Sequence, residues 1–242
     1  MKHPLPSPLP AAGPDGAPTH LGQAALFAGL ERGVMAEIEA AARLRSTDRG
    51  AAFFHQGDRA EALHLLVTGS VKMVQVDAAG HQGVVRVIGR GDMFGCVPAL
   101  ARGIYPATAE ALVDSHAWVW DAATLDGLMA AHPSLAKNAM HVLGARLGEL
   151  QDRLLELATV RVEQRLARTL LRLVRQCGRK VEEGVAIDMP LSRQDLAEMS
   201  GTTLFTVSRV LSRWEAEGMV QIGRHRVVII DRHGIASLAE DL

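Results

Sequence analysis

The chain has 242 residues, 48% of them hydrophobic, and its 26 Lys and Arg against 27 Asp and Glu leave a formal net charge of −1. This length supports one large domain or two small ones, and near neutrality by itself argues against nucleic-acid binding, which usually leaves a basic footprint. Two cysteines, Cys96 and Cys177, exclude a disulfide framework and a four-thiolate iron–sulfur cluster. Without a membrane-length apolar run or a secretory signal after Lys2, we expect a cytoplasmic protein that does not contact a membrane.

The first twenty residues differ in composition from the rest of the chain. Six of the ten prolines fall within residues 1–18, mixed with Gly, Ala and Ser. Such a segment has little to bury, so residues 1–20 are predicted to form a disordered arm, with a partner-binding tail as the alternative. Apolar residues at every fourth position then predict a short helix over residues 26–42.

Short β-rich runs dominate residues 50–120. They are Leu63–Val67, Val71–Val76, Val84–Ile88 and Ala117–Trp120, and glycine-containing turns separate them. Regular short strands with glycine turns predict an antiparallel barrel or sandwich. Residues 21–124 are therefore expected to form one β-rich sensor domain.

A helical period returns at Leu125. Leucines at steps of three to five positions continue to Val160, which predicts one long helix over residues 125–160 with an apolar seam. This seam favours dimerisation through a coiled coil, and packing of the helix on its own barrel is the alternative. A second helix is expected over residues 161–176, ended by Gly178.

The strongest local signal lies between residues 191 and 218. Ser192 and Asp195 have the spacing of a helix-capping box, and Gly201 can end that helix in a left-handed turn. Thr203 can cap a second helix, which Gly218 closes. Two short helices joined by a tight glycine turn predict a helix-turn-helix.

The second of these helices divides into two faces at 100° per residue. The apolar face holds Val207, Val210, Leu211 and Trp214, and the opposite face holds Phe205, Thr206, Ser208, Arg209, Ser212 and Arg213. Small hydroxyls allow close approach to a major groove, and arginine can bind guanine O6 and N7 together. These features favour DNA binding over the alternative, an ordinary solvated helix pair.

Residues 219–230 then predict a hairpin wing with basic residues at its tip, near the DNA phosphates. The residues expected to contact DNA are Arg193, Gln194, Thr203, Phe205, Thr206, Ser208, Arg209, Arg213, Arg224 and His225. Arg209 is expected to bind a guanine, with Thr206 and Ser208 near thymines, so a half-site beginning T-T-G is predicted.

Taken together, these motifs resemble those of the Crp/Fnr superfamily of bacterial transcription regulators. The motifs are the Gly57-Asp58 turn, the Val67–Lys72 strand pair, Gly91–Gly95, Arg165–Leu171, Arg193-Gln194 and Thr206–Arg209. The resemblance implies an α+β protein with a cyclic-nucleotide-binding-type β-roll (jelly roll), a long dimerisation helix and a C-terminal winged helix-turn-helix over residues 161–242. It also implies a homodimer that reads a palindrome and contacts RNA polymerase.

Departures from the family pattern concern the effector. Where cyclic-nucleotide-binding members carry a ribose-binding Glu and a phosphate-binding Arg-Ser or Arg-Ala pair, this chain has Cys96 and Pro106-Ala107. A thiol cannot replace a carboxylate on a diol, and proline offers a phosphate neither charge nor donor, so we expect no cAMP binding. The position that would touch the adenine is Leu150. The expected effector pocket comprises Phe94, Gly95, Cys96, Val97, Pro106, Ala107 and Leu150.

Two other sensor chemistries follow from the resemblance. The oxygen-sensing branch needs an N-terminal cysteine cluster for its [4Fe–4S] centre. Because no cysteine precedes Cys96, that branch is excluded. Residues 201–209 look most like the regulators of nitric-oxide and denitrification genes, several of which are thought to use haem. The axial donors open to haem are His55, His64, His81, His116, His132, His141 and Cys96. A thiol redox sensor at Cys96 is the second alternative, and no metal cluster is expected.

Enzymatic signatures are lacking in the sequence. It has no His-x-His, P-loop, G-x-S-x-G or kinase-type motif, so an enzyme is not expected. A cyclic-nucleotide-type regulatory module without DNA binding remains the alternative from another functional class. Charge favours the DNA-binding interpretation, since residues 161–242 carry a net charge of about +2 and residues 1–160 about −3, by the same formal counting.

Overall fold

A computed structural model describes residues 21–80, 82–101 and 103–240. The predicted arm over residues 1–20 and the histidine at position 81 lie outside the described residues. Contacts divide the chain into two compact units, residues 21–71 with 88–148 and residues 72–87 with 149–240. No helix in the described part of the chain is both long and apolar enough to cross a membrane.

The first half of the chain is a β-roll with flanking helices. Its helices are α1 (Arg32–Ala41), α2 (Cys96–Leu100), α3 (Ala122–Ala131) and α4 (Pro133–Thr159). Its strands are β1 (Arg43–Thr47), β2 (Ala52–Phe54), β3 (Ala62–Thr68), β4 (Val71–Val76), β5 (Gln82–Ile88), β6 (Met93–Phe94), β7 (Thr108–Ala111) and β8 (Ser115–Asp121). One sheet has the order β1-β8-β3-β6 and the other the order β2-β7-β4-β5.

The strand pairing of β3 determines which side chains face the roll interior. Leu65 pairs with Trp118 of β8 and Met93 of β6, and these side chains belong to the core between the sheet and the helices. His64, one position earlier, pairs with Phe94 and points to the opposite face, because side chains alternate along a strand. The interior of the roll therefore receives His64 and Phe94.

The core outside the roll joins the helical segments to the first sheet. Phe27, Ile38, Leu125 and Leu135 pack around Trp120, which is fully buried. The indole of Trp120 donates a hydrogen bond of 2.8 Å to the carbonyl of Ile38. This core attaches α1, α3 and α4 to the strand that carries Trp120.

Several predicted bounds were wrong in this half. Residues 26–42 hold a 3₁₀ turn (Ala25–Phe27) and the separate helix α1. The single helix expected over residues 125–160 is two helices that meet at His132, and Pro133 begins the second, where its missing N–H costs nothing. The four confirmed strands were accompanied by β1, β2, β6 and β7, which are short or lack an alternating pattern.

The second half is a winged helix-turn-helix. It comprises α5 (Val162–Cys177), β9 (Gly178–Val181), β10 (Gly184–Ile187), α6 (Arg193–Ser200), α7 (Leu204–Ala216), β11 (Val220–Gly223), β12 (Arg226–Ile229) and α8 (Arg232–Glu240). One sheet of order β11-β12-β10-β9 joins the wing to a hairpin that the sequence pattern did not predict. The predicted fold class is confirmed.

Gly178 ends α5 for a different reason from the one expected. Its backbone is extended rather than left-handed, and it begins β9. A Cβ at this position would lie 2.3 Å from the carbonyl oxygen of Val174. Glycine is therefore needed because the strand leaves the helix against its last turn.

Candidate DNA-reading face and sensor interior

The helix-turn-helix is held by side-chain caps at both of its helices. Ser192 Oγ accepts from the amide of Asp195, and the Asp195 carboxylate accepts from the amide of Ser192. Gly201 is left-handed, with φ 62°, and Thr203 Oγ1 accepts from the amide of Thr206. The predicted capping box, glycine turn and second cap are confirmed, so local sequence determines how α7 leaves the turn.

The two faces of α7 are those that the sequence predicted. Val207, Val210, Leu211 and Trp214 are buried. On the other side Phe205 is 77% exposed, and Arg209 is also exposed. A 13-residue helix thus presents two arginines, hydroxyls and an aromatic ring to solvent.

Arg213 differs from the other predicted base readers. Its guanidinium forms an ion pair with Glu163 of α5 and a second, at 3.9 Å, with Glu217. The indole of Trp214 donates to the same Glu163 carboxylate at 3.2 Å. The structure therefore gives Arg213 a part in holding α7 on α5.

The start of α6 and the wing lie on either side of a groove of about 230 Å³. Arg193, Arg224 and His225 line it and are exposed. His225 has a positive φ of 56° in the two-residue turn of the wing, and its carbonyl accepts from the amide of Leu191. The predicted wing tip is thereby tied to the start of the helix-turn-helix.

Gln194 is also predicted to contact DNA. Its side-chain Nε2 donates a hydrogen bond of 2.9 Å to Oε1 of Glu198, one helical turn later.

Arg165 of α5 connects three backbone segments. Its guanidinium donates to the carbonyls of Val160 at 2.7 Å, Ser200 at 2.8 Å and Gly201 at 2.9 Å. Val160 directly follows α4, whereas Ser200 ends α6 and Gly201 begins the turn to α7. A single side chain therefore links the end of the long helix to the helix-turn-helix turn.

The long helix α4 exposes an apolar seam. Met140, Leu147, Leu150, Leu154 and Leu157 are 44–68% exposed. Their spacings of seven, three, four and three residues are those of adjacent heptad positions.

The interior of the roll contains a cluster of aromatic rings around His64. The imidazole centroid lies 4.8 Å from the ring of Phe94, 5.4 Å from Phe54 and 5.8 Å from Phe53. His64 is 1% exposed, and neither ring nitrogen has a hydrogen-bond partner. Burial lowers the pKa of His64 to about 3, so the ring is neutral.

Tyr105 closes one side of this cluster. Its ring stacks on Phe54 with centroids 3.6 Å apart, and its hydroxyl donates to the carbonyl of Ala62 at 2.6 Å. Burial raises the pKa of the Tyr105 phenol. Gly95 has a left-handed φ, and a Cβ there would approach Tyr105 and Phe54 to 3.1–3.2 Å. Glycine at position 95 therefore lets the aromatic pair pack.

The predicted effector residues are distributed unevenly. Phe94 and Gly95 border the aromatic cluster, and Ala107 is buried while Pro106 is exposed. Cys96 is buried in the core that includes Leu65 and Trp118, on the other side of the sheet from His64. Leu150 lies on the exposed seam of α4, and the side chain of the residue at position 97 (Val97) lies outside the described part.

Both halves of the chain match family models. Residues 44–132 match the cyclic nucleotide-binding domain, and residues 164–238 match the Crp-like helix-turn-helix domain. The chain belongs to the Crp/Fnr family. Its members regulate transcription by binding DNA and are typically dimeric, and this protein is a DNA-binding transcription regulator rather than an enzyme.

Relatives and solved structures show the same family. The chain is 24% identical over 219 residues to the CRP-like cAMP-activated global transcriptional regulator of Mycobacterium tuberculosis, covering 90% of this chain and 98% of that protein. It is 26% identical over 197 residues to the fumarate and nitrate reduction regulatory protein of Escherichia coli. That match covers 81% of this chain and 78% of that protein. The structure of FixK2 from Bradyrhizobium japonicum superposes on this chain with a TM-score of 0.72 at 25% identity. The superposition covers 81% of this chain and 96% of FixK2.

Three features of this Crp/Fnr protein have no local sequence pattern that predicts them. In the sequence Arg165 is part of a family motif, and only the structure shows that it connects three backbone segments. Tyr105 and the surroundings of His64 carried no local pattern, because their neighbours come from distant strands. One available signal was that Tyr105, the only tyrosine in the chain, directly precedes the Pro106-Ala107 departure.

Proposed function

We propose that this Crp/Fnr regulator works as a homodimer that reads a palindromic operator with two α7 helices one DNA turn apart. A small effector other than cAMP, held in the roll, controls its affinity for DNA, and bound protein contacts RNA polymerase. The observation that supports this proposal is the separation of α7 side chains into an apolar face and a polar face. Its apolar face is buried, while Phe205 and Arg209 stand exposed on the other face.

We assign base readout to the exposed side chains of α7 that make no ion pair with another helix. Arg209 is exposed and suits bidentate binding to a guanine, with Thr206 and Ser208 beside thymines, in a half-site beginning T-T-G. Arg213 is engaged with Glu163, so it supports the helix instead of reading a base. Phe205 cannot accept a hydrogen bond, and it offers apolar contact to a thymine methyl.

Phosphate contacts come from the start of α6 and the wing. Arg193, Arg224 and His225 are exposed around the groove between them. Because few basic residues border the reading face, the affinity for DNA has a modest salt dependence, and base contacts supply a larger share of it.

Dimerisation is assigned to the exposed seam of α4. Its heptad spacing gives each helix apolar positions that pair with the same positions of a second copy. Replacing Leu154 by Lys places a charge in the seam and produces a monomer, whereas Lys at exposed Gln151 leaves the dimer intact. Sedimentation of the two variants distinguishes these outcomes.

The effector is assigned to a class other than cyclic nucleotides. The Mycobacterium tuberculosis relative is named as cAMP-activated, but here a buried thiol, Cys96, and the pair Pro106-Ala107 occupy the places expected to bind ribose and phosphate. We place the protein in the nitric-oxide-responsive branch, with haem as the gas-binding group. Haem, when bound, would supply an iron that binds diatomic gases.

Arg165 provides a physical route from α4 to the reading face. It holds the carbonyl of Val160 at the end of α4 and the carbonyls of Ser200 and Gly201 in the turn. A shift at the end of α4 is therefore passed to the turn that orients α7. By linkage, operator DNA must tighten effector binding by the same factor by which the effector tightens DNA binding.

Selection from a random duplex library with the full chain tests the reading function. The expected result is a palindrome with two half-sites about one helical turn apart. The Phe205→Glu variant should move the preference at one position from T·A toward a pair with an exposed cytosine amine. Selection of no common sequence by the wild-type chain would contradict the proposed function.

A titration with cAMP tests the effector class. We expect no saturable binding, because neither a carboxylate nor an arginine stands at the matching positions. Stoichiometric cAMP binding that changes operator affinity would overturn this assignment.

A further inference from the structure

Arginine side chains gather where the end of α4 lies beside α5. Arg165, Arg168 and Arg172 recur at steps of three and four positions, which places them on one face of α5. Arg153 and Glu156 lie one turn apart near the end of α4. Glu156 forms ion pairs with Arg168 at 3.5 Å and with Arg172 at 3.1 Å, so the two helix faces meet. We call these four arginines the junction cluster.

The arginines of α5 are held in place by short contacts. Arg168 Nε donates to the carbonyl of Ala239 on α8 at 2.9 Å. Arg172 donates to both oxygens of Glu156, at 3.1 and 3.2 Å, and to Thr169 Oγ1 at 3.0 Å. Among the described residues Glu156 is the one carboxylate that forms ion pairs with the cluster. The guanidinium groups are therefore well positioned, but most of their charge is uncompensated.

Arg153 differs from the other three arginines. It forms no hydrogen bond and no ion pair with any residue in the described part of the chain. The charged groups beside it are Arg172, Glu156 and Arg165, so like charges outnumber the single carboxylate. Burial lowers the pKa of Arg153, and the charge of Arg172 lowers it further. The N–H donors of this partly buried guanidinium are available to a negatively charged ligand.

A second copy of the chain does not neutralise this charge at Arg153. In the heptad register that places Leu147 and Leu154 at position a, Arg153 takes position g beside the exposed seam. In a parallel coiled coil a residue at g lies beside position e of the next heptad on the other helix. That position is Ala158, which carries no charge. The proposed dimer therefore brings no carboxylate to this place.

The charge and the geometry of the cluster select the ligand. Because the guanidinium groups outnumber the carboxylate, an anion with more than one negative charge fits best. The planar fork of an arginine matches the oxygens of a phosphate with two parallel hydrogen bonds. Arg165 and Arg172 lie about 10 Å apart along α5, which suits a small molecule. The side chains of Arg168 and Arg172 are 33% and 32% exposed, so solvent reaches them.

The direction of the cluster argues against DNA as the source of the phosphate. Glu163 of α5 contacts α7 through Arg213 and Trp214. At 100° per residue, the arginines of the cluster on α5 lie about 140–200° around the helix axis from Glu163. The cluster is therefore on the side of α5 away from the reading helix, where a free phosphate compound reaches it more readily than a DNA backbone does.

We propose that the junction cluster binds a small compound that carries a diphosphate group. Arg153 supplies the guanidinium that has no partner in the chain, and Arg168 and Arg172 share their charge between the ligand and Glu156. The site uses none of the residues assigned to the roll interior or to base readout, so it goes beyond the proposed function. Because Arg165 also holds the turn before α7, an anion bound here adds a second input to the orientation of α7.

Titration calorimetry of the full-length protein with pyrophosphate tests the site, in phosphate-free buffer at about 0.15 M chloride. We expect saturable binding of one pyrophosphate per subunit. Arg153→Gln removes a guanidinium that makes no internal bond, so it should fold and bind pyrophosphate about tenfold more weakly. Arg175→Gln removes the same charge from an exposed position of α5 and should bind as wild type does. Equal affinity in the two variants would overturn the proposal.

Glu156→Gln should give a change of the opposite sign. It removes the carboxylate that competes with the ligand for Arg168 and Arg172, so pyrophosphate should bind more tightly than to wild type. Even if this variant is less stable without ligand, pyrophosphate should raise its thermal midpoint more than it raises that of wild type. Weaker binding to Glu156→Gln than to wild type would contradict an anion site in this cluster.

Two competitors identify the kind of anion. Citrate carries several negative charges without phosphate, and citrate binding as tight as that of pyrophosphate would overturn the assignment to a phosphate compound. Displacement of pyrophosphate by one equivalent of the operator duplex would assign the cluster to the DNA backbone and overturn the small-molecule site. Operator recognition is measured on the same samples, so failure to bind pyrophosphate is distinguished from failure of the DNA-reading function.

Discussion

Buried polar side chains of the helix-turn-helix half have hydrogen-bond partners that the imidazole of His64 in the roll interior lacks. In the helix-turn-helix half, Ser200 Oγ donates to the carbonyl of Leu196, Thr169 Oγ1 donates to the carbonyl of Arg165, and the indole of Trp214 donates to Glu163. In the roll half, His64 and Trp118 keep buried nitrogens without a partner. Among the described residues, the His64 imidazole therefore stands out as a buried ring with neither nitrogen hydrogen-bonded.

This difference has a thermodynamic meaning. A buried polar atom without a hydrogen-bond partner costs about 1–3 kcal/mol of folding free energy. The unpaired nitrogens of His64 therefore lower the stability of the roll. Local inconsistencies of this kind concentrate at functional sites.

Acid should destabilise the protein through His64. The unfolded chain binds a proton near pH 6.5, whereas the folded ring stays neutral down to about pH 3, so this contribution to stability is lost as pH falls from 6.5 toward 3. At about 1.4 kcal/mol per pKa unit, the loss reaches about 4 kcal/mol. Denaturant unfolding across this pH range should show a smaller loss of stability in His64→Phe than in wild type, since the other titrating groups are shared.

The control for this effect is His55→Phe, which makes the same replacement at an exposed site. It should keep the wild-type dependence on pH. At pH 7 the His64→Phe apoprotein should also be more stable than wild type, because the unpaired nitrogens are gone. Equal acid sensitivity of wild type and His64→Phe would show that the ring is not shielded from protons.

Arg165→Ala should lower the free energy of unfolding of the helix-turn-helix half by about 3 kcal/mol. The substitution removes three charge-assisted hydrogen bonds and leaves three backbone carbonyls without that donor. Arg175→Ala is the matched change at an exposed position of the same helix. Urea unfolding compares the two. If Arg165→Ala is no less stable than Arg175→Ala, the three bonds do not support the turn.

Arg209→Ala should cost about 2 kcal/mol of operator binding and relax the preference at one base pair, as expected for loss of a guanine contact. Arg232→Ala, at an exposed site on α8, should leave affinity for the operator unchanged. Fluorescence anisotropy with the operator and single-base variants measures both. An equal loss on every duplex would assign Arg209 to phosphate contact instead.

Ser192→Ala should have the smallest effect, about 1 kcal/mol of stability, because it removes one cap of α6. The exposed Ser237 offers a control for the loss of a hydroxyl outside a cap. Thermal unfolding of the two variants gives the comparison. Identical unfolding curves would mean that water replaces the Ser192 cap without cost.

The amino-acid sequence alone determined much of the reading domain. Ser192, Gly201 and Thr203 act within three or four positions of themselves, and the buried and exposed faces of α7 follow from the pitch of one helix. Such short-range effects need no knowledge of distant residues. The strands near Leu65 were likewise visible, since short β-rich runs were separated by glycine turns.

Contacts between distant segments determine which residues lie in the sensor interior and that Arg213 pairs with Glu163. His64 looked like any of the other histidines until β2 and β6 brought phenylalanines around it and the segment at Tyr105 closed the cluster. Glu163 lies 50 positions before Arg213, and no local period connects them. Burial and pairing of these groups depend on contacts between segments far apart in the chain, which is why periodicity could predict the reading helix but not the place that receives a ligand.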